Sequence, residues 1–386
     1  MQHAREADGW EAVWAEIRSG DDRQEVRFRV RGAHTTASAD PFVPAALVPA
    51  MRVGLGLELE GPVSPRLPAA TSDVQQLVSG WYDTFSRVPF AAPAAEPATP
   101  APGVGCFFSG GLDSFYTLLS HKEEITHLIL VHGFDMELRD VHRRERVAAE
   151  LRRAAAELGK PLIEVETNLR AFADRYVRWS DDYCGSALAS VALLLSGVLG
   201  KVYVGASFTE ELSARMPWGS HPDLEPLWST EATEIIFDGT VGRPQKAALI
   251  ATSDVALRSL RVCWEGRDGA YNCGRCEKCV RTMVNLRIVG ALARCPAFAR
   301  PLDLRAVARM VIADECARIL VEDNLVACQA AGDDPELERA LRECLAASPS
   351  RLRALIAAGD LRRRAVRRLQ RSLGMPTYNW DFLTES

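Results

Sequence analysis

From Glu25 to Gly32 the chain reads EVRFRVRG, with Val26, Phe28 and Val30 at one parity and Arg27, Arg29 and Arg31 at the other. A period of two is that of a strand with one covered face. A second apolar-rich run, MRVGLGLELEG from Met51, is a candidate partner strand. Residues 1–87 are therefore expected to form a small β-containing N-terminal domain. The next stretch, VPFAAPAAEPATPAPG over residues 88–103, is dense in proline and alanine. That composition suits neither helix interior nor sheet, and it predicts a linker.

The pattern then changes. Short apolar runs, GVGCFF, THLILVHG, PLIEVE and KVYVGA, alternate with helical stretches from Asp113, from about Asp140 to Leu158, and from Gly185. Strands separated by helices predict an α/β unit with a parallel sheet over residues 104–294. Ligands of such sheets bind beyond the carboxyl ends of the strands. Residues 295–386 read as helical, and Arg351–Arg371 holds eight arginines against one acid, Asp360, the pattern of a helix with a solvated basic face.

Length and charge narrow the possible partners. The chain has 386 residues, 47% hydrophobic and 25% charged, with a net charge of −5. It is long enough for several domains and has no general attraction for nucleic acid or an anionic membrane. The N-terminal MQHAREADGWEAVWAEIRSGDDR lacks the apolar centre of a secretory signal, and GSALASVALLLSGVLG from Gly185 is short for a membrane span. A cytoplasmic location without membrane contact is the expectation.

The strand GVGCFF runs into SGGLDS. Gly110 and Gly111 permit a tight turn that can aim several amide N–H groups at one anion, and the following helix adds its positive end. Ser109 and Ser114 offer hydroxyls. Asp113 repels phosphate, so its natural role there is to hold Mg²⁺ against the phosphates. No Gly-Lys-Ser/Thr follows, which sets this turn apart from a Walker loop.

Four of the ten cysteines, Cys263, Cys273, Cys276 and Cys279, are spaced C-x9-C-x2-C-x2-C. Four thiolates complete a tetrahedral Zn²⁺ site with no open position, which is a structural site. An iron–sulfur cluster and a redox or sulfur-carrying pair are the alternatives. Cys184, next to Asp181-Asp182-Tyr183, is the other candidate nucleophile. His132 and Asp135 follow the second strand, each with a structural or a functional reading. The long connection after KVYVGA offers Glu210, Glu211, Arg215, His221 and Asp223 for substrate or metal, and Trp218 and Trp228 to cover a flat ring. Lys246 suits the charge that develops on a transferring phosphoryl group.

SGGLDS after a first parallel strand resembles the signature of the PP-loop ATP pyrophosphatases, proteins with an adenine nucleotide alpha hydrolase-like, Rossmann-like fold. With the cysteine spacing, residues 104–290 resemble the 7-cyano-7-deazaguanine synthases. VCWEG, Pro222-Asp223 and Lys246-Ala247 match that family's Ser-Cys-Tyr-x-Gly, Pro-Asp and Lys-Ala-Glu motifs in part. The resemblance implies ATP on Ser109, Gly110, Gly111, Leu112, Asp113 and Ser114, with adenine against the backbone near His132. It implies Mg²⁺ at Asp113, catalysis by Asp113 and Lys246, substrate near Asp223 and Arg215, and zinc on the four cysteines. The implied reaction cleaves ATP to AMP and pyrophosphate, adenylates a carboxylate, and lets ammonia displace AMP to give an amide or nitrile. The family also implies a homodimer.

Gly133-Phe134, Leu224, Ser186-Ala187 and Ala248 depart from the family pattern. They remove polar groups that would face a polar heterocycle. Adenylation carries over more directly than the identity of the acid, which is a small molecule or a carboxylate on a protein or peptide. Two other readings are a PP-loop sulfur transferase with persulfide on a cysteine, and a nucleotide-binding module acting with a partner protein.

Overall fold

The computed structural model describes residues 1–347 apart from residues 37, 267, 268 and 313. The arginine-rich segment Arg351–Arg371 lies outside the described residues. The chain divides into two compact units, Met1–Thr240 and Val241–Ser386.

The first unit is built on strands β1 (Gln2–Arg5), β2 (Glu11–Ser19), β3 (Asp22–Arg31), β6 (Gly103–Phe107), β7 (His127–His132), β8 (Leu162–Thr167), β9 (Leu199–Gly205) and β10 (Glu234–Asp238). They form one eight-stranded sheet in the order β1-β2-β3-β8-β7-β6-β9-β10. From β8 to β10 all neighbours are parallel, and β1, β2 and β3 extend the β8 edge by antiparallel pairing. β4 (Leu57–Glu58) and β5 (Phe90–Ala91) make a separate parallel pair.

This arrangement corrects the expected division of the chain. The alternating run from Glu25 is a strand as predicted, but with β1 and β2, which the pattern did not single out, it is part of the main sheet, because β3 pairs along β8 from Phe28↔Thr167 to Arg31↔Glu164. The partner of β3 in sequence is β2, and the run from Met51 instead completes helix α1 (Phe42–Val53) and contributes β4. The proline-rich stretch is held to its unit: β5 pairs with β4, and bridges join Val63 to Ala94 and Pro102 to Leu199. Proline tolerates such short edge pairings because few of its neighbours need to donate. The division falls at residue 240, inside the segment expected to be one core.

The two sides of β3 face different worlds. Val26, Phe28 and Val30 are fully buried and join Ile163 and Val165 of β8 in the core. Helix α1 covers this side, with Phe42 edge-on to Phe28 at 5.8 Å between ring centres. Helix α2 (Arg66–Trp81) adds Leu67, Val74 and Val78. On the other side the registered pairs Arg29↔Glu166 and Arg31↔Glu164 are ion pairs of 2.6 and 2.8 Å. The apolar segment from Gly185 is α6, defined below, and its residues are buried as a core helix rather than a span. Among the described residues no helix is long and apolar enough to cross a membrane.

The crossover helices are α3 (Leu112–Ser120), α4 (Val141–Glu157), α5 (Leu169–Ala173) and α6 (Cys184–Leu194), with a π-helical turn at Trp179–Tyr183. Asp140 caps α4 by accepting the Arg143 N–H at 3.2 Å. Arg144 and Arg152 of α4 reach Glu166 and Glu164, so the helix is tied to the charged side of the sheet. Tyr183 Oη donates to the Ala45 carbonyl at 2.7 Å and joins the π turn to α1. The polar connection after β9 contains the short helix α7 (Glu210–Arg215) and then β10, a strand the hydrophobic pattern did not single out.

The second unit is helical: α8 (Arg243–Ile250), α9 (Asp254–Ser259), α10 (Glu277–Ile288), α11 (Leu304–Ala308), α12 (Glu315–Ala331) and α13 (Pro335–Leu345). Val280, Val284, Val307, Val321, Leu337 and Leu341 form its apolar centre. Asp314 caps α12, and Asp334 caps α13 while pairing with Arg287. Gly332, left-handed at φ 74°, ends α12.

Gly133 at the end of β7 has φ 101°, and a Cβ there would lie 2.0 Å from the Thr167 carbonyl oxygen. Gly159 after α4 is also left-handed but has open space around it. Left-handed strain alone costs about 1–3 kcal/mol. Gly133→Ala is therefore expected to lower the urea midpoint of the first unit clearly more than Gly159→Ala, and equal shifts would contradict the close approach.

Candidate functional site

β6 lies between β7 and β9 in the sheet. The chain leaves it toward β7 and β8 on one side and later returns to β9 and β10 on the other, so β6 is the point where the winding reverses. Beyond the carboxyl end of such a strand the flanking connections diverge and leave a crevice. The turn that follows β6 is Phe108-Ser109-Gly110-Gly111. Gly110 is left-handed at φ 75°, and Gly111 is the N-cap of α3. The positive end of α3 therefore opens at this crevice.

Around the turn, the Gly111 N–H donates to Ser109 Oγ at 3.3 Å and Ser114 Oγ donates to the Gly111 carbonyl at 3.1 Å. These bonds shape the loop from within. Leu112 and Ser114 are buried, and Ser109 and Asp113 are half-buried. Asp113 sits in the first turn of α3, where a carboxylate is favoured by the helix dipole. The helix rests on the sheet at Gly205, the last residue of β9, where a Cβ would approach the Asp113 carbonyl oxygen to 3.2 Å.

Asp238, at the end of β10, is a residue the sequence reading missed. Its Oδ2 accepts from Thr117 Oγ1 at 2.8 Å and its Oδ1 lies 2.8 Å from His121 Nε2. Thr117 and His121 are four apart on α3 and share one face, so one carboxylate pins the helix that carries the glycine turn. His121 also stacks on Tyr203 at 4.5 Å. The only local hint was an acid closing the apolar run EIIFD.

His132 is buried and faces the sheet interior, with Nε2 at 3.3 Å from Glu164 Oε2 and Nδ1 without a partner among the described residues. Burial alone would raise the Glu164 pKa, but bonds from His132, Arg152 and Arg31 outweigh it and hold the carboxyl well below its ordinary range. Arg215 closes α7 and is exposed, and Asp223 is exposed with its N–H donating to His221 Nδ1 at 3.1 Å. His221 Nε2 meets the Ser213 carbonyl at 2.8 Å. A carbonyl only accepts and an amide N–H only donates, so His221 is fixed as the neutral Nε2–H tautomer.

Cys184 is not an activated thiol. Burial first, and the nearby Glu225 next, push its pKa far above the ordinary value, whereas reactive cysteines need the thiolate. Glu225 itself is fully buried, and burial raises it from 4.5 to about 8. It accepts the His221 N–H at 2.5 Å and bonds Ser220 Oγ, and it lies against Gly185, where a Cβ would meet Oε1 at 2.6 Å.

In the second unit Lys246 is fully buried in α8, so it is not an ordinary exposed lysine. Cys263, Cys273, Cys276 and Cys279 are buried with all four sulfurs within 4.8 Å of one another. Cys276 Sγ is 3.9 Å from Cys263 Sγ, and Cys273 Sγ is 3.9 Å from Cys279 Sγ. A tetrahedral ion with bonds of about 2.3 Å puts its sulfurs about 3.8 Å apart, so the cluster has the dimensions of a site for one ion such as zinc. A multi-iron cluster divides its thiolates among separate irons and spreads them further. Asn272 braces the loop by accepting from the Val262 and Cys263 N–H groups and donating to the Leu260 and Ala297 carbonyls. The Cys276 N–H points at Cys273 Sγ, and the Gly266 N–H points at Cys263 Sγ, each at 3.3 Å. Both contacts favour negative charge on sulfur.

Comparison with family models, with curated proteins and with solved structures finds no match for this chain.

Two outcomes follow. The purified protein is expected to hold one zinc per chain, to lose it on Cys276→Ser and to release it as pH falls and thiolates take up protons; metal analysis checks this, and Cys184→Ala should leave the content unchanged. For Glu225 the folded value lies above the unfolded one, so between about pH 4.5 and 8 the folded state binds the extra proton and stability falls as pH rises. Thermal midpoints across that range should decline in the wild type and decline less in Glu225→Gln, whose amide can make both bonds without titrating.

Proposed function

We propose that the chain is an ATP-dependent carbon–nitrogen ligase that forms AMP and pyrophosphate, similar to the 7-cyano-7-deazaguanine synthases. The observation that carries this reading is the Ser-Gly-Gly turn at the winding reversal: a left-handed Gly110, the open end of α3, and Asp113 in its first turn. That combination suits a polyphosphate with a divalent cation.

On this reading ATP lies along Ser109–Ser114, with Mg²⁺ at Asp113 and adenine toward the backbone that follows β7. A carboxylate oxygen of the substrate attacks the α-phosphorus, and pyrophosphate leaves. Ammonia then attacks the acyl carbon and AMP departs, which gives an amide; a second activation at the amide oxygen gives a nitrile. Arg215 and Asp223 are assigned to the substrate. The chain's contribution is positioning and charge neutralisation rather than covalent catalysis. Asp238 is a positioning residue that holds α3. The metal centre braces its loop and takes no part in the chemistry. Persulfide chemistry at Cys184 is disfavoured by the raised thiol pKa, which keeps the sulfur protonated.

The test is mass spectrometry of the zinc-loaded protein with Mg-ATP, ammonium and 7-carboxy-7-deazaguanine. The expected result is AMP together with the amide or nitrile, with Asp113→Ala at least about 100-fold slower, as loss of a residue that organises transition-state charge requires. AMP without the deazaguanine product, on a panel of other carboxylic acids, would retain adenylation and reject this acid. Absence of AMP with every acid and amine would reject the ligase.

A further inference from the structure

We propose that the cleft at the amino end of β8 is a second anion site, which takes the phosphoryl group of a small organic phosphate. The cleft has a volume of about 740 Å³, and its lining includes Arg31, Arg152, Lys160 and Glu164, with Ala156 and Leu162 as apolar surface. Leu162 begins β8, whereas the glycine turn follows the carboxyl end of β6, and the two strands run parallel through β7. The cleft is therefore at the opposite end of the sheet from that turn, and the inference stands apart from the ligase reading.

The charges in the cleft do not balance. Arg152 grips Glu164 with both Nε and Nη2 at 2.8 Å, and Arg31 donates a single Nη2 to the same carboxylate at 2.8 Å. Glu145 adds only a 3.4 Å contact to Arg152 from an exposed position. Lys160 Nζ donates to the Lys122 carbonyl at 2.7 Å, a neutral partner, and among the described residues it has no carboxylate. Nor do the cations serve the end of α4, because the carbonyls of Ala154, Ala155 and Ala156 already accept from Leu158, Lys160 and Gly159. Arg31 is oriented by Trp10, whose ring lies 4.8 Å from its guanidinium. It spends one nitrogen on Glu164 and keeps the rest of its fork for a ligand.

The remaining donors of the Arg31 guanidinium and the Lys160 ammonium, with the positive charge of Arg152 beside them, match a phosphoryl group in charge and donor geometry. In a chain of net charge −5, a positive concavity collects anions locally. The volume is that of small-molecule sites and exceeds what a bare phosphate needs. Ala156 and Leu162 in the lining offer apolar surface on which the organic body of a phosphate ester can rest.

Lys160 is the residue to change, since Arg31 and Arg152 also neutralise the buried Glu164. Full-length protein would be titrated calorimetrically with inorganic pyrophosphate and with ribose 5-phosphate. Binding of both by wild type, weakened at least tenfold by Lys160→Glu, less by Lys160→Met and little by Lys160→Arg, with unchanged thermal midpoints, is the expected result. Wild-type binding that Lys160→Glu leaves intact would place the anion elsewhere and overturn the proposal, as would no binding of either probe at millimolar concentration. A lowered midpoint in Lys160→Glu moves the decision to Lys160→Met, where unchanged affinity is equally fatal.

Discussion

Glu164 is the constraint on which the first unit turns. It is a buried carboxylate in the middle of a sheet, and it remains charged only because Arg31 from β3, Arg152 from α4 and His132 from β7 close on it. Removing one partner of a buried charge leaves the other exposed to the full desolvation cost, so these three elements are bound to one position. With Glu166, which takes Arg29 and Arg144, it makes the N-terminal hairpin an edge of the parallel sheet. The apolar side of the same strands supplies most of the burial. The charged side sets which strand lies beside which, and in what register.

From that edge the sheet continues to β6, where the winding reverses, and the glycine turn opens there. Two features set the helix beyond the turn. Gly205 lets its first turn rest against β9, and Asp238 holds Thr117 and His121 from β10. The helix that follows the glycine turn is thus positioned by residues more than eighty positions later in the chain. The second unit solves a different problem: the segment between α9 and α10 has few apolar residues, and four sulfurs at tetrahedral spacing, braced by Asn272, give it a fixed shape.

What the sequence determined by itself was everything with a short period or a short spacing. Alternation in EVRFRVRG marked the buried side of β3; apolar runs between helical stretches marked β6 to β9; Ser-Gly-Gly marked the turn; and C-x9-C-x2-C-x2-C marked a group of four sulfurs that could hold a metal. In each case the neighbours in sequence are also the neighbours in space, so local chemistry suffices.

Only the tertiary structure decided the rest. The arginines of β3 read as a solvated side until Glu164 and Glu166 were opposite them, about 135 residues away. Cys184 read as a possible nucleophile until desolvation of its sulfur and the nearby Glu225 raised the thiol. The linker read as a boundary until β5 and its bridges held it to the first unit, and nothing local tied Asp238 to Thr117 and His121 on the distant α3. Strand registry, desolvation and long-range ion pairs depend on which distant residue is brought alongside, and no spacing within the chain encodes that.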